Sequence, residues 1–173
     1  MKILITYYSG TGNTEKIAIS IKDGIIDHEV ELLPVKKVDP NSLSSYDLVF
    51  LGSGIYAFNV SRKITSLIKK APQLPSKLAY FYTHESKTPW PKAFKSVNKI
   101  IEQHNCEVLG EFDCCGENLV SLAKEQREAY LSRLSPEERR EAEETYLKHI
   151  KGHPNEDDFE KARIFAQSII KKL

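Results

Sequence analysis

No stretch of this 173-residue chain approaches the roughly 20 consecutive apolar residues that a membrane-spanning helix requires. Its first residues pattern as a core strand and not as a signal peptide. Cysteine is scarce: Cys106, Cys114 and Cys115 are odd in number, lack metal-ligand spacing and suit no disulfide framework. A cytoplasmic location is the expectation that follows. A dominant charge is also missing, since 25 basic residues stand against 24 acidic ones, for a formal net charge of +1. Basic and acidic residues are interspersed, so no nucleic-acid tract emerges. Neither HExxH nor a Ser/His/Asp order occurs, and no metal site is expected. With 40% hydrophobic and 28% charged residues, this length suits one domain with a full core.

What is present begins with residues 2–18, KILITYYSGTGNTEKIA. An apolar and β-branched run, 3–8, meets a loop of small polar residues. Ile17, Ala18 and Ile21 then open a helical pattern. Strand, glycine loop and helix in that order build an anion site. Backbone can approach a ligand closely at the glycines, hydroxyls and amides donate, and the helix N-terminus adds its dipole. Ser9, Gly10, Thr11, Gly12, Asn13 and Thr14 are the candidate phosphate-binding residues. The loop has no lysine, so the G-x-x-x-x-G-K-S/T pattern fails. Glu15 stands where a dinucleotide loop has its third glycine. A turn that is glycine-rich for its geometry alone is the remaining structural account, although it needs fewer hydroxyls than these. Neutral donors by themselves suit a monophosphate that is kept more than a triphosphate that is transferred.

Further along, residues 29–35 alternate as a strand, and 47–53 form a continuous apolar run of the kind buried on both faces of a parallel sheet. Residues 78–83 and 106–114 read as two more strands. Helices are expected over about 14–24, 61–70 with Ser61 as N-cap, 91–104 starting at Pro91, and 157–173. This alternation implies an α/β fold: a doubly wound, five-stranded parallel sheet in the order 2-1-3-4-5, with helices on both faces. In that order the loops 9–14, 54–59 and 84–91 converge at the carboxyl edge, where such sheets bind ligands. Between 117 and 150 a charged segment reads as a helical insert within the single domain, with Ser135-Pro136-Glu137-Glu138 starting its second helix. Its apolar stripes are narrow: Ala123, Tyr130, Leu131 and Leu134, then Ala142, Tyr146, Leu147 and Ile150. They suit a solvated hairpin lying on the body, or an element that docks a partner.

Ser9 to Thr14 match Ser/Thr-x-Ser/Thr-Gly-x-Thr, the phosphate loop with which flavodoxins begin, at every defined position. On these residues the chain resembles the flavodoxin-like family over 1 to about 116 and again over 151–173. The resemblance implies FMN as cofactor and electron transfer through the bound flavin. Ile55, Tyr56, Ala57, Phe58 and Asn59, with Thr83, His84, Glu85 and Trp90, are then the candidate walls and polar edge for its ring. His84 is either a proton donor to flavin or substrate or a loop histidine with a hydrogen-bonded ring, and no catalytic residue is assigned. Trp90, the single tryptophan, lies in a polar proline-flanked loop.

Three features are unlike the electron-shuttling flavodoxins. The charge is balanced where theirs is acidic; no glycine lies between Ala57 and Ser61, where they commonly have one facing the flavin; and residues 83–89, THESKTP, are similar to the broader group that includes menaquinone-linked protoporphyrinogen oxidase. The resemblance therefore implies either an electron carrier or an FMN-dependent oxidoreductase acting on a quinone, porphyrinogen or nicotinamide. A flavin-free interaction module is the reading of another class. In the windows 9–16, 53–63, 83–95 and 114–124, Glu15, Glu85 and Glu117 stand against Lys16, Arg62, Lys63, Lys87, Lys92, Lys95 and Lys124. This excess of cations at the ligand end predicts an anionic partner, either a redox protein or a small electron donor or acceptor.

Overall fold

The computed structural model describes residues 1–119 and 121–173, with the backbone alone at 121–123. Its order is β1 (Lys2–Tyr8), α1 (Asn13–Asp23), β2 (Glu29–Pro34), β3 (Leu48–Tyr56), β4 (Asn59–Val60), α2 (Arg62–Lys70), β5 (Lys77–His84), α3 (Lys95–Ile101), β6 (Glu107–Cys115), α4 (Ser121–Leu131), α5 (Pro136–His149) and α6 (Glu156–Ile170). The sheet runs β2-β1-β3-β5-β6, all parallel, while β4 adds only an antiparallel hairpin to the end of β3. Leaving β4 aside, this is the expected order.

Alternation along the buried strands sends side chains to two cores. Leu4, Val49, Leu51 and Tyr80 pack with Ile64 and Leu67 of α2 and Val97 of α3. Ile3, Ile5, Phe50 and Phe81 pack with Ile17 and Ile21 of α1 and Ala162, Ala166 and Ile169 of α6. A Cβ on Gly52 would stand 2.0 Å from the Phe81 ring, so β3 and β5 share that layer only because residue 52 has no side chain.

Several boundaries differ from the sequence expectation, most of them by one to three residues. The segment 54–59 is not an open loop: β3 continues to Tyr56 and turns back through Ala57 and Phe58, at φ 46° and 67°, into β4. The helix expected from Pro91 begins only at Lys95 and ends at Ile101. Residues 90–93 are held off the helical path because Val60 N donates to Ala93 O (3.3 Å) and Trp90 N to the Tyr82 hydroxyl (3.2 Å). The last strand starts at Glu107 and runs through Cys115.

In the segment 117–150, α5 has the expected capping box, Ser135 accepting from Glu138 N while the Glu138 carboxylate accepts from Ser135 N. Leu131 and Ile150 are buried, whereas Tyr130 and Leu147 are each 58% exposed. The Ala123 side chain, expected on the first stripe, lies outside the described residues. Among the described residues no helix is long and apolar enough to cross a membrane.

Candidate functional site

The loop after β1 is short because Gly12 supplies a left-handed turn (φ 90°) directly before α1. Ser9 Oγ accepts from Gly12 N at 3.0 Å and closes the loop on itself. The first-turn N–H groups of α1 therefore face the carboxyl edge of the sheet, with no lysine among them. Thr11 is exposed and Asn13 and Thr14 are buried. The Thr14 hydroxyl shares a 2.9 Å hydrogen bond with that of Thr83 at the end of β5. Asn13 Nδ2 donates to Glu117 O at 2.9 Å. Glu15 is drawn off to the side, where its carboxylate accepts from the Tyr7 hydroxyl. Burial and that contact push the Tyr7 phenol up to about 12.

Tyr56 covers the loop. Its hydroxyl accepts from Gly10 N at 3.0 Å, and its ring meets Tyr8 edge-on at 5.5 Å. A Cβ on Gly10 or on Gly54 would lie 2.9 Å from the Tyr56 hydroxyl oxygen, so the two glycines form the cradle in which the phenol sits. Beside it a narrow cleft of about 80 Å³ is lined by Thr11, Asn13, Thr14, Gly54, Ile55, Tyr56, Thr83, His84, Glu85, Gly116 and Asn118. The backbone donors and the glycine cradle fit a phosphate monoester.

Of the other expected residues, Phe58 is 68% exposed at the hairpin tip and stands edge-on to Trp90 at 4.9 Å. Asn59 Nδ2 donates to Ala57 O at 3.1 Å and steadies the turn. His84 is the last residue of β5 and is buried, with Nε2 3.0 Å from Asp113 Oδ2 and Nδ1 3.1 Å from Ser86 O. Nδ1 thus braces the loop that follows, while Nε2 ties the end of β5 to Asp113 of β6. Burial raises the Glu85 carboxyl above its ordinary value, against the pull of Arg127.

Sequence reading counted Glu117 only as a charge and gave it no place in the site. Its carboxylate accepts from the Tyr146 hydroxyl of α5 and from Gly152 N (2.8 Å), which together hold it below the usual range. Its backbone N–H donates to His153 O at 2.7 Å. One residue so ties the N-terminus of α1, the helical segment and the turn before α6. Next to it, a cleft of about 580 Å³ opens between α4 and α5, walled by Leu131, Ala142, Tyr146, Leu147 and Ile150. It shares Glu85 and Asn118 with the narrow cleft. Arg127 lies flat over the Tyr146 ring at 3.8 Å in this wall.

Residues 4–167 match the model of the flavodoxin domain. An uncharacterised protein of Methanocaldococcus jannaschii is 32% identical over 174 residues, covering 99% of each chain. The flavodoxin-like domain-containing protein BilS of Clostridioides difficile is 29% identical over 182 residues, covering 99% of this chain and 98% of its own. Among solved structures, oxidised flavodoxin 1 of Bacillus cereus superposes with a TM-score of 0.68 at 16% identity, covering 100% of this chain and 99% of that one. Oxidised flavodoxin 2 of the same species gives 0.65 at 22%, covering both chains fully. These two share its fold.

Proposed function

This chain belongs to the flavodoxin domain family, and we propose that it is an FMN-binding redox protein that passes electrons between partners through its flavin. The observation that carries the proposal is the cradle of Gly10 and Gly54 at the carboxyl edge, beside the left-handed turn at Gly12 that opens α1, with neutral donors lining the loop. Ser9, Thr11 and the backbone N–H groups of 10–14 would hold the phosphate. Tyr56 and Trp90 would wall the ring, and Thr83 and Glu85 would border its polar edge. When bound, the flavin supplies one- and two-electron chemistry that no side chain of this site has. The protein's share is to position it, exclude water from one face and set the charge around it. Farther out, the loop and helix-start segments at this end carry more bases than acids, so the partner proposed is anionic, and encounter rates should fall as salt rises.

A second reading, an oxidoreductase acting on a small quinone, porphyrinogen or nicotinamide, is favoured by the cleft between α4 and α5. Its volume of about 580 Å³ lies within the roughly 300–1,000 Å³ of small-molecule sites, and it opens beside Glu85.

The test is an absorbance spectrum of the purified protein, followed by FMN titration of the apoprotein. Thr11→Ala should weaken FMN by roughly ten- to a hundredfold, the worth of a hydrogen bond to a charged group, about 1.5–3 kcal/mol. Unchanged affinity would remove the loop from the site. Reduction of an anionic protein partner without turnover of any small substrate would favour the carrier over the enzyme.

A further inference from the structure

Two cavities beside α2 adjoin across Arg62, Lys63 and Ser66. The larger, about 830 Å³, runs from the Tyr8 and Tyr56 rings past Ser61 to Lys69 and Ser96. The smaller, about 430 Å³, adds Lys36 and Lys70 above a floor of Val35 and Leu67. Among the described residues lining the two, five are cationic and none is acidic, in a chain whose charges are nearly balanced. Among the described residues none of the five cations belongs to an ion pair. Lys63 Nζ instead lies over the Tyr8 ring at 4.5 Å. Hydroxyls fill the spaces between them: Ser61 caps α2, and Thr65 and Ser96 hydrogen-bond to each other at 3.1 Å.

Like charges gathered without counter-charges repel, and a polyanion in the groove relieves that repulsion. Each volume lies within the range of small-molecule sites. Aromatic rings stand at one end, with Lys63 over Tyr8, and the other cations run on from there without further rings, which suits a nucleotide's base followed by its phosphates. The geometry points to a site for a phosphorylated nicotinamide dinucleotide. Arg62 and Lys63, shared by both cavities, take its diphosphate together with Lys69 of the larger one, and Lys36 and Lys70 take the additional phosphate. Tyr56 lines this groove and also covers Gly10, so the ligand lies against the flavin site. This inference names the chemical class of the electron donor and rests on the redox reading only for what the bound nucleotide does.

Calorimetric titration of the FMN-loaded protein with the oxidised, non-reducing dinucleotides separates binding from turnover. NADP⁺ should bind, NAD⁺ several-fold more weakly, and pyrophosphate more weakly again. Arg62→Glu with Lys69→Glu should weaken both dinucleotides by about tenfold or more, the scale of lost charge-assisted phosphate contacts. Lys36→Glu with Lys70→Glu should abolish the preference for NADP⁺, and Arg62→Gln with Lys69→Gln covers the case in which the reversed pair folds poorly. FMN affinity should stay unchanged in all of them. A flavin-loaded protein that binds no dinucleotide, or binds it equally well in every variant, overturns the groove while leaving the flavin reading intact. A protein that takes up no FMN yet binds NADP⁺ through these cations overturns the flavin reading and keeps the groove.

Discussion

Tyr56→Phe isolates one atom. The phenol oxygen takes the Gly10 N–H at 3.0 Å, and that donor is among those a bound phosphate needs. Burial raises the Tyr56 pKa, the Gly10 N–H opposing, so the hydroxyl is neutral at physiological pH and acts as a competing acceptor. Phenylalanine keeps the ring, its edge contact with Tyr8 at 5.5 Å and its ability to stack. Only the competition is removed. A neutral hydrogen bond has a net worth of about 0.5–1.5 kcal/mol, and because Gly10 is exposed, water replaces part of it. The lower half of that range applies, about 0.5–1 kcal/mol, or roughly a two- to fivefold gain in FMN affinity. Titration of the apoprotein by quenching of FMN fluorescence reads the change directly. The apoprotein should also unfold at slightly lower denaturant. An FMN dissociation constant that stays the same or rises in Tyr56→Phe refutes the reasoning, because the hydroxyl would then help the bound state and not compete with it.

Ala57 and Phe58 both occupy the left-handed region, at φ 46° and 67°. Ala57→Gly removes about 1–2 kcal/mol of backbone strain and returns about 0.5–1 in unfolded-chain entropy, so denaturant melts should show a net gain of roughly 0.5–1 kcal/mol. A loss of stability would place the turn outside the strained region. Glu117 is held below the ordinary carboxylate range by the Tyr146 hydroxyl and the Gly152 N–H. Its folded-state pKa is depressed, so the stability it contributes is present above about pH 4.5 and is lost as pH falls through the folded value. Wild type should therefore lose more stability below that pH than Glu117→Gln, and parallel pH profiles would count against the contact. Replacing residues 125–148 with a short linker should leave FMN binding measurable; failure to fold would show that α4 and α5 belong to the core.

The sheet was legible because its strands announce themselves. Residues 48–51 are wholly buried, and a continuous apolar run is what burial on both faces demands. Helix starts were legible where a capping residue sits at the boundary, as at Ser61 and Ser135. The hairpin after β3 was not, because its two left-handed residues are Ala and Phe, and the usual Gly or Asn signal is absent from those positions. The late start of α3 was equally hidden. Pro91 is a sound first-turn residue locally, but hydrogen bonds from Val60 and to Tyr82 decide the path of 90–93.

The candidate site divides in the same way. The proposed phosphate loop is local chemistry packed into six residues, and composition alone singles it out. Its cover and its tether come from far off, Tyr56 reaching Gly10 across 46 positions and Glu117 reaching Asn13 across 104. No local pattern encodes such pairs; they exist because parallel strands bring their carboxyl ends together. The basic groove falls between these cases. A count of charges near the strand ends found Arg62 and Lys63 but passed over Lys69 and Lys70, which lie in the last turn of α2. Seven residues is about two helical turns, so 62 and 69, and likewise 63 and 70, lie on one face. Helical period applied to charge, and not only to apolar residues, would have shown a cationic stripe with Ser66 in its line. Lys36 is different in kind. It stands in the short turn after β2, and it meets that stripe only because Val35 and Val38 pack in the same core as Leu67. Four cations of the groove follow from a helix, and the fifth from tertiary packing.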